Sequence, residues 1–322
     1  MNELSPPAER LPTPPEGTPA PVSRTPVSLA MAAFKLMRPK QWTKNGLLGA
    51  ALVFSGHFLD VRDVVATVVG MMAFCLLSSS GYVLNDWLDR EADRRHPKKR
   101  HRPIASGALP ERAALVQMAV IALVGAALAW WVSPAFFTVA MLYVATTLSY
   151  SFYFKHLVIL DVMMLGACYV WRAVAGAVAI GVAVSPWLFL CTAFLALFLG
   201  FSKRRAELVL IGENKGTRKN LAEYSPQMLD QFQAIVTAGT VLSYALYTVL
   251  GQEEHGPWMT LTMPYVLYGI FRYIYLVDQR GEGGAPDETF LRDRPILVTV
   301  FLYIVTAVGV MYAEHVGWAA AG

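Results

Sequence analysis

Within the stretch NDWLDREADRRHPKKRHRPIASG, residues 85–107, carboxylates stand at Asp86, Asp89 and Asp93. Spacings of three and four put them on one face if a helix continues through them. Carboxylates stacked in this way repel one another unless something positive lies between them. Hard divalent cations such as Mg²⁺ take oxygen ligands, keep several waters, and are usually held by one or two carboxylates together with substrate phosphates. The chemistry these residues point to is a magnesium–diphosphate site, with Asn85 adding a neutral oxygen or amide. The segment that follows carries Lys98, Lys99, Arg100 and Arg102, the bases that a polyphosphate with excess negative charge needs. The plainer alternative is a solvated helix end in which Arg90, Arg94 and Arg95 neutralise the acids. A second polar cluster, FSKRRAEL at 201–208, lies four apolar runs further on. If both clusters meet one membrane face, they form opposite walls of one pocket.

The elements that must position these residues are apolar. The chain has 322 residues, 55% hydrophobic and only 16% charged, with a mean hydropathy of +0.43. That is outside the range of soluble domains and predicts an all-α integral membrane protein. Runs long enough to cross a hydrocarbon core, about 20 residues each, fall near 45–60, 64–84, 113–132, 135–153, 158–182, 186–201, 231–250, 257–277 and 295–313. They predict a bundle of about nine transmembrane helices. With the N-terminus cytoplasmic, 24 of the 27 basic residues fall in cytoplasmic segments, leaving Arg62 outside and Arg172 and Arg272 within spans. The positive-inside rule therefore sets the N-terminus in and the C-terminus out. The outer connections are short, so the chemistry belongs at the cytoplasmic face.

Residues 1–30 read as a Pro-rich cytoplasmic tail too polar to fold, and 31–322 as the polytopic domain. No signal-peptide pattern opens the chain. Cys75, Cys168 and Cys191 are isolated in separate apolar runs without metal-ligand spacing and read as small core residues. There is no GxxxxGK[ST] and no HExxH. Arg172 stands near the middle of a span, where a charge costs roughly 2.5–3.5 kcal/mol. Asp161 lies eleven residues away, about 16 Å along a helix. The expected partner of Arg172 is therefore an acid of another span or a lipid phosphate. Arg272 reads as a snorkelling cation. At the last span, Arg292, Asp293 and Arg294 either cap a pocket or anchor the helix.

NDxxDxxxD after the second span, followed by RPIASG, resembles the UbiA superfamily of intramembrane prenyltransferases, from about Ala33 to the C-terminus. Most members of that superfamily carry a second Asp-rich motif between spans six and seven, and the two motifs bind prenyl diphosphate through Mg²⁺. Here the matching stretch, SKRRAELVL, offers Lys203, Arg204, Arg205 and a single acid, Glu207. RPKQWTKN (38–45), FKH (154–156), DVMMLGACYVWRAVAGA (161–177), SKRRAEL and LRDRP (291–295) are similar to the decaprenyl-phosphate phosphoribosyltransferases of the superfamily.

That resemblance implies transfer of 5-phosphoribose from 5-phosphoribosyl 1-diphosphate to a polyprenyl phosphate, with release of diphosphate. The product would be a lipid-linked pentose precursor for cell-envelope glycans, made at a bacterial-type inner membrane. It implies Mg²⁺ on Asn85, Asp86, Asp89 and Asp93, and donor contacts from Lys99, Arg102, Lys203, Arg204 and Glu207. It also implies acceptor-phosphate contacts from Lys44, Tyr150, Lys155 and Arg172. Against these roles, Trp42 and Tyr150 read plainly as interfacial aromatic anchors, and Lys44 and Lys155 as snorkelling cations. The partners are the two substrates and membrane lipids, with a homo-oligomer left open and no nucleic acid. The small residues of AVAGAVAIGVAV permit close helix approach around a groove for the lipid tail. Two rivals remain, an aromatic or haem prenyltransferase and a carrier of phosphorylated lipid.

Overall fold

The computed structural model describes residues 26–96, 99–211, 221, 223–250, 257–280, 289 and 292–315, and among these every regular element is a helix. The calls on residues 1–25 and on Lys98, Lys215, Arg218, Lys219 and Leu291 lie outside the described residues. Helix α1 (Pro26–Leu36) begins within the stretch expected to be tail, because its Pro opens an apolar run.

The run expected as the first span, 45–60, is not one helix. A 3₁₀ segment, Pro39–Leu48, is followed by the six-residue α2 (Gly49–Phe54) and a 3₁₀ turn, His57–Leu59. Ten residues of 3₁₀ is long for a geometry whose side chains eclipse at i and i+3. Here it is braced from outside: Trp42 Nε1 donates to Ser79 Oγ at 3.1 Å, and Ser79 Oγ donates to the Met37 carbonyl. Trp42 is thus a tie to the next helix.

That helix, α3 (Val61–Leu88), starts where Asp60 accepts the backbone N–H of Arg62 and Asp63, a cap worth about 1 kcal/mol. Next come α4 (Arg90–Arg95), α5 (Glu111–Val132) and α6 (Pro134–Phe152), the last capped by Ser133 with Pro134 at its first position. The bundle continues through α7 (Leu160–Ala179), α8 (Pro186–Ile211), α9 (Pro226–Leu250), α10 (Met263–Arg280) and α11 (Arg294–His315). Among the described residues six helices, α3, α5, α6, α7, α9 and α11, are long and apolar enough to cross a membrane. α3 packs along α5, and α8 along α9; α7 joins the halves by touching α6, α8 and the 3₁₀ segment.

Large apolar side chains such as Val116, Leu123, Trp131 and Phe301 are more than 60% exposed. Lipid solvates such a surface, whereas water would not. Because lipid tails are as apolar as the core, close packing decides where helices meet. At Gly176 on α7 an added Cβ would stand 2.1 Å from the Leu48 carbonyl oxygen, so glycine is what lets α7 press onto the 3₁₀ segment.

Candidate active site

Asp86 lies on the last turn of α3, buried. Its Oδ1 accepts Arg38 Nη2 at 2.5 Å and Arg102 Nη1 at 3.0 Å, and the same Arg102 nitrogen reaches Asp93 Oδ2 at 2.7 Å. Asp93, on α4, is also buried. Asp89 joins the two helices: its N–H donates to the Asn85 carbonyl and its carbonyl accepts Asp93 N–H, so helical bonding carries through the junction. Asp89 itself is exposed, with Oδ1 3.9 Å from Lys155 Nζ. Asn85 is half-buried beside Asp86.

The expected shared face thus resolves into a buried pair, Asp86 and Asp93, converging on one positive nitrogen, with Asp89 turned toward the 154–156 turn. Among the described residues no group of three His, Cys, Asp or Glu is arranged to hold a metal. Two carboxylates drawn to one positive centre nevertheless fit Mg²⁺, which needs few protein ligands when substrate phosphates supply the rest.

RPIASG is what places Arg102. Pro103, Ile104 and Ala105 are buried, Leu109 N–H donates to the Pro103 carbonyl, and Gly107 turns the chain at φ 73°. Lys99 is half-buried in the short 3₁₀ turn just before it. Arg38 was missed as a site residue and counted only as a cytoplasmic base. It sits at φ 53°, ψ 60°, a conformation non-glycine residues rarely keep without surrounding support, and its guanidinium lies 5.0 Å over the Tyr82 ring. Nothing in the local sequence pattern singles it out, because its partner Asp86 is far along the chain.

The second cluster is differently built from the expectation. Arg204 is buried, with Nε on Asp161 Oδ2 at 2.7 Å and Nη1 on Glu207 Oε2 at 2.6 Å. Tyr224 donates its hydroxyl to Asp161 Oδ1 at 2.8 Å and accepts the N–H of Ile159, which sits at φ 67°. Burial and the adjoining Asp161 carboxylate hold the Tyr224 hydroxyl protonated far above the usual tyrosine range. Arg204 and Glu207 therefore come together as a tie between α7 and α8, while Lys203 beside them is half-buried. Arg205 pairs with Asp230 of α9 and Asp278 of α10.

Arg172 is buried without Asp161, which Arg204 holds, and its bonded partners are neutral. Nε donates to Asn45 Oδ1 at 2.8 Å, Nη1 to the Cys168 carbonyl at 2.8 Å, and Nη2 to the Tyr143 hydroxyl at 3.0 Å. Tyr143 and Tyr169 also present their ring faces to it. Of the two expected partners, an acid of another span or a lipid phosphate, the acid is replaced by an amide, a carbonyl and aromatic rings.

Tyr169 and Lys44 both line an apolar cavity of about 750 Å³ that runs between the 3₁₀ segment, α2 and α7 to α11. The AVAGAVAIGVAV stretch lines a smaller cavity instead. Tyr150 is half-buried on the last turn of α6, next to the turn that carries Lys155. Arg272 is paired with Asp293 at 2.9 Å, so it is not merely a snorkelling cation; Asp293 also accepts Ile296 N–H and so anchors α11.

The model of the UbiA prenyltransferase family matches residues 46–292. The chain is 37% identical over 296 residues to the decaprenyl-phosphate phosphoribosyltransferase of Corynebacterium glutamicum, covering 89% of each chain. It is 35% identical to the enzyme of that name from Mycobacterium tuberculosis, over 87% of this chain and 94% of the other. Among solved structures, a UbiA homolog from Archaeoglobus fulgidus bound to DMAPP and Mg²⁺ superposes with a TM-score of 0.67 at 19% identity. That match covers 87% of this chain and 99% of the other.

Proposed function

The chain belongs to the UbiA prenyltransferase family, and from that premise we propose that this multi-pass membrane transferase moves 5-phosphoribose from 5-phosphoribosyl 1-diphosphate to a polyprenyl phosphate. Similarity along nearly the whole chain to enzymes named for that transfer carries the reading. The make-up of SKRRAEL supports it, because a basic cluster replaces a second acidic motif.

In this reading Asp86 and Asp93, with Asp89 and Asn85, hold Mg²⁺ on the donor diphosphate. Such an ion would supply charge neutralisation on the leaving group. Arg102, Arg38 and Lys99 balance the remaining diphosphate charge. Lys203 takes the 5-phosphate, and Arg204 with Glu207 fixes the turn of α8 that presents it. The bond from C1 to the diphosphate oxygen breaks as an acceptor-phosphate oxygen bonds to C1, and diphosphate leaves. The acceptor is already anionic near neutral pH, so orientation contributes more than deprotonation. Lys44, Lys155, Tyr150 and Arg172 are assigned to its phosphate, and the 750 Å³ cavity beside Lys44 to its tail. The apolar runs support about nine crossings, and the basic residues support a cytoplasmic N-terminus with the site at the cytoplasmic face of a bacterial-type inner membrane.

The test is a transfer assay in lipid nanodiscs with Mg²⁺, labelled phosphoribosyl diphosphate and polyprenyl phosphate. Parallel reactions contain prenyl diphosphate with aromatic acceptors. Label reaching the lipid phase from the sugar donor, and lost on chelation, is expected. Prenylated aromatic product would replace the donor assignment, and inactivity with both donors would favour a carrier.

A further inference from the structure

An aromatic cluster forms part of the lining of the 750 Å³ cavity. Phe54 meets Tyr247 edge-on with ring centroids 5.8 Å apart; Tyr303 lies 6.5 Å from Phe54, and Tyr244 6.0 Å from Tyr247. A second cavity of about 330 Å³ lies against the same cluster, and Phe54 and Tyr247 line both. Helix α2 is the dividing wall. Ala50 and Val53 face the large cavity, Ala51 the small one, and Phe54 both.

Charge gives the large cavity a direction. Among its described lining residues the charged one is Lys44, on the 3₁₀ segment at the other end of this wall from Phe54. Phe54 adjoins the turn leading into the start of α3, whereas the Asp86 cluster lies at the far end of that 28-residue helix. An amphiphile with its anionic head at Lys44 can lay its tail toward the Phe54–Tyr247 pair, because the walls between are apolar or aromatic with scattered hydroxyls.

We propose that Phe54 and Tyr247 form the stop that sets how long an isoprenoid chain the groove accepts, and that the second cavity is space this stop withholds. The proposal rests on the acceptor reading above. It deepens that reading by naming what selects among polyprenyl phosphates. Removing the Phe54 ring joins the two cavities, and further chain carbons then become buried instead of displaced.

The experiment is native mass spectrometry of the full-length protein with an equimolar mixture of polyprenyl phosphates graded in length. Wild type binds short members and falls off at a defined length. Phe54→Ala is expected to raise the long-to-short binding ratio about tenfold, the effect of burying about two further methylene groups. Phe54→Leu, which keeps apolar packing, moves the ratio the same way by less, so a poorly folding alanine variant does not end the test. Ala183→Phe, refilling the second cavity from an exposed wall position, reverses the gain in the Phe54→Leu background.

An unchanged ratio in the Phe54 variants overturns the proposal, as does wild-type binding that ignores length or fails for every polyprenyl phosphate. A wild-type protein that sorts chains by length yet transfers no phosphoribose retains the stop and overturns the donor assignment instead.

Discussion

Asp86 and Asp89 are one turn apart in sequence and differ in what their removal does. Asp86 is buried between two guanidiniums, so Asp86→Asn leaves Arg38 and Arg102 short of a counter-charge and costs stability as well as metal binding. Asp89 is exposed, and its replacement disturbs little but the site. Asp89→Asn is therefore the cleaner probe: turnover falls by at least about 10²-fold with Tm unchanged, while Asp86→Asn lowers both. Full activity in both variants, measured against a Mg²⁺ titration, would remove the metal assignment. Lys203→Ala is expected to raise the donor KM about tenfold through loss of one charge-assisted contact, leaving the lipid KM where it was. An unmoved donor KM returns Lys203 to the role of a cytoplasmic anchor. The acids were legible in the sequence because their spacing is local. Arg38 was not, because its partner Asp86 is 48 residues away and nothing in the local pattern links them.

Two elements owe their placement to single residues. α7 lies against the 3₁₀ segment only because Gly176 has no side chain, and that contact brings Asn45 to Arg172. Gly176→Ala must push the two apart and is expected to destabilise by roughly 1–3 kcal/mol, seen as a lower Tm in detergent together with weaker lipid binding. α11 starts at Asp293, whose carboxyl the Arg272 guanidinium holds below the usual carboxylate range. The folded protein therefore binds that proton less readily than the unfolded chain. The stabilising contribution is present above the ordinary carboxylate value and is lost as pH falls through the depressed one. Asp293→Asn should thus lower Tm near neutral pH, and the gap to wild type should close in acid, below about pH 4. A gap independent of pH would show that capping alone is at work. Most helices were visible as apolar runs. The break at 45–60 was not, because hydropathy reports burial and is blind to whether a run is α-helical, 3₁₀ or interrupted.

Across the whole molecule, the orientation proposed from the basic residues is open to direct test. With 24 of 27 bases assigned to one side, a reporter enzyme fused at the C-terminus and active only outside the cytoplasm is expected to be active; silence there would reverse the topology. Arg172 borders the apolar groove through its neighbours. That residue sits over Tyr169, which lines the groove, and bonds to Asn45, the neighbour of Lys44.

What the sequence by itself determined was a helical membrane protein, the family it resembles, and the residue types of the acidic site. Those properties follow from local hydropathy, charge bias and short spacings, which are written in the order of residues. Only the tertiary structure decided how the charges are paired. It gave Asp161 to Arg204 and left Arg172 with Asn45, Tyr143 and a carbonyl, and it set Phe54 against Tyr247 between two cavities. In an apolar bundle a buried charge must take whatever polar group the packing brings within reach. Which group that is depends on where helices far apart in the chain cross, and that is set by side-chain volume at contacts such as Gly176 with Leu48.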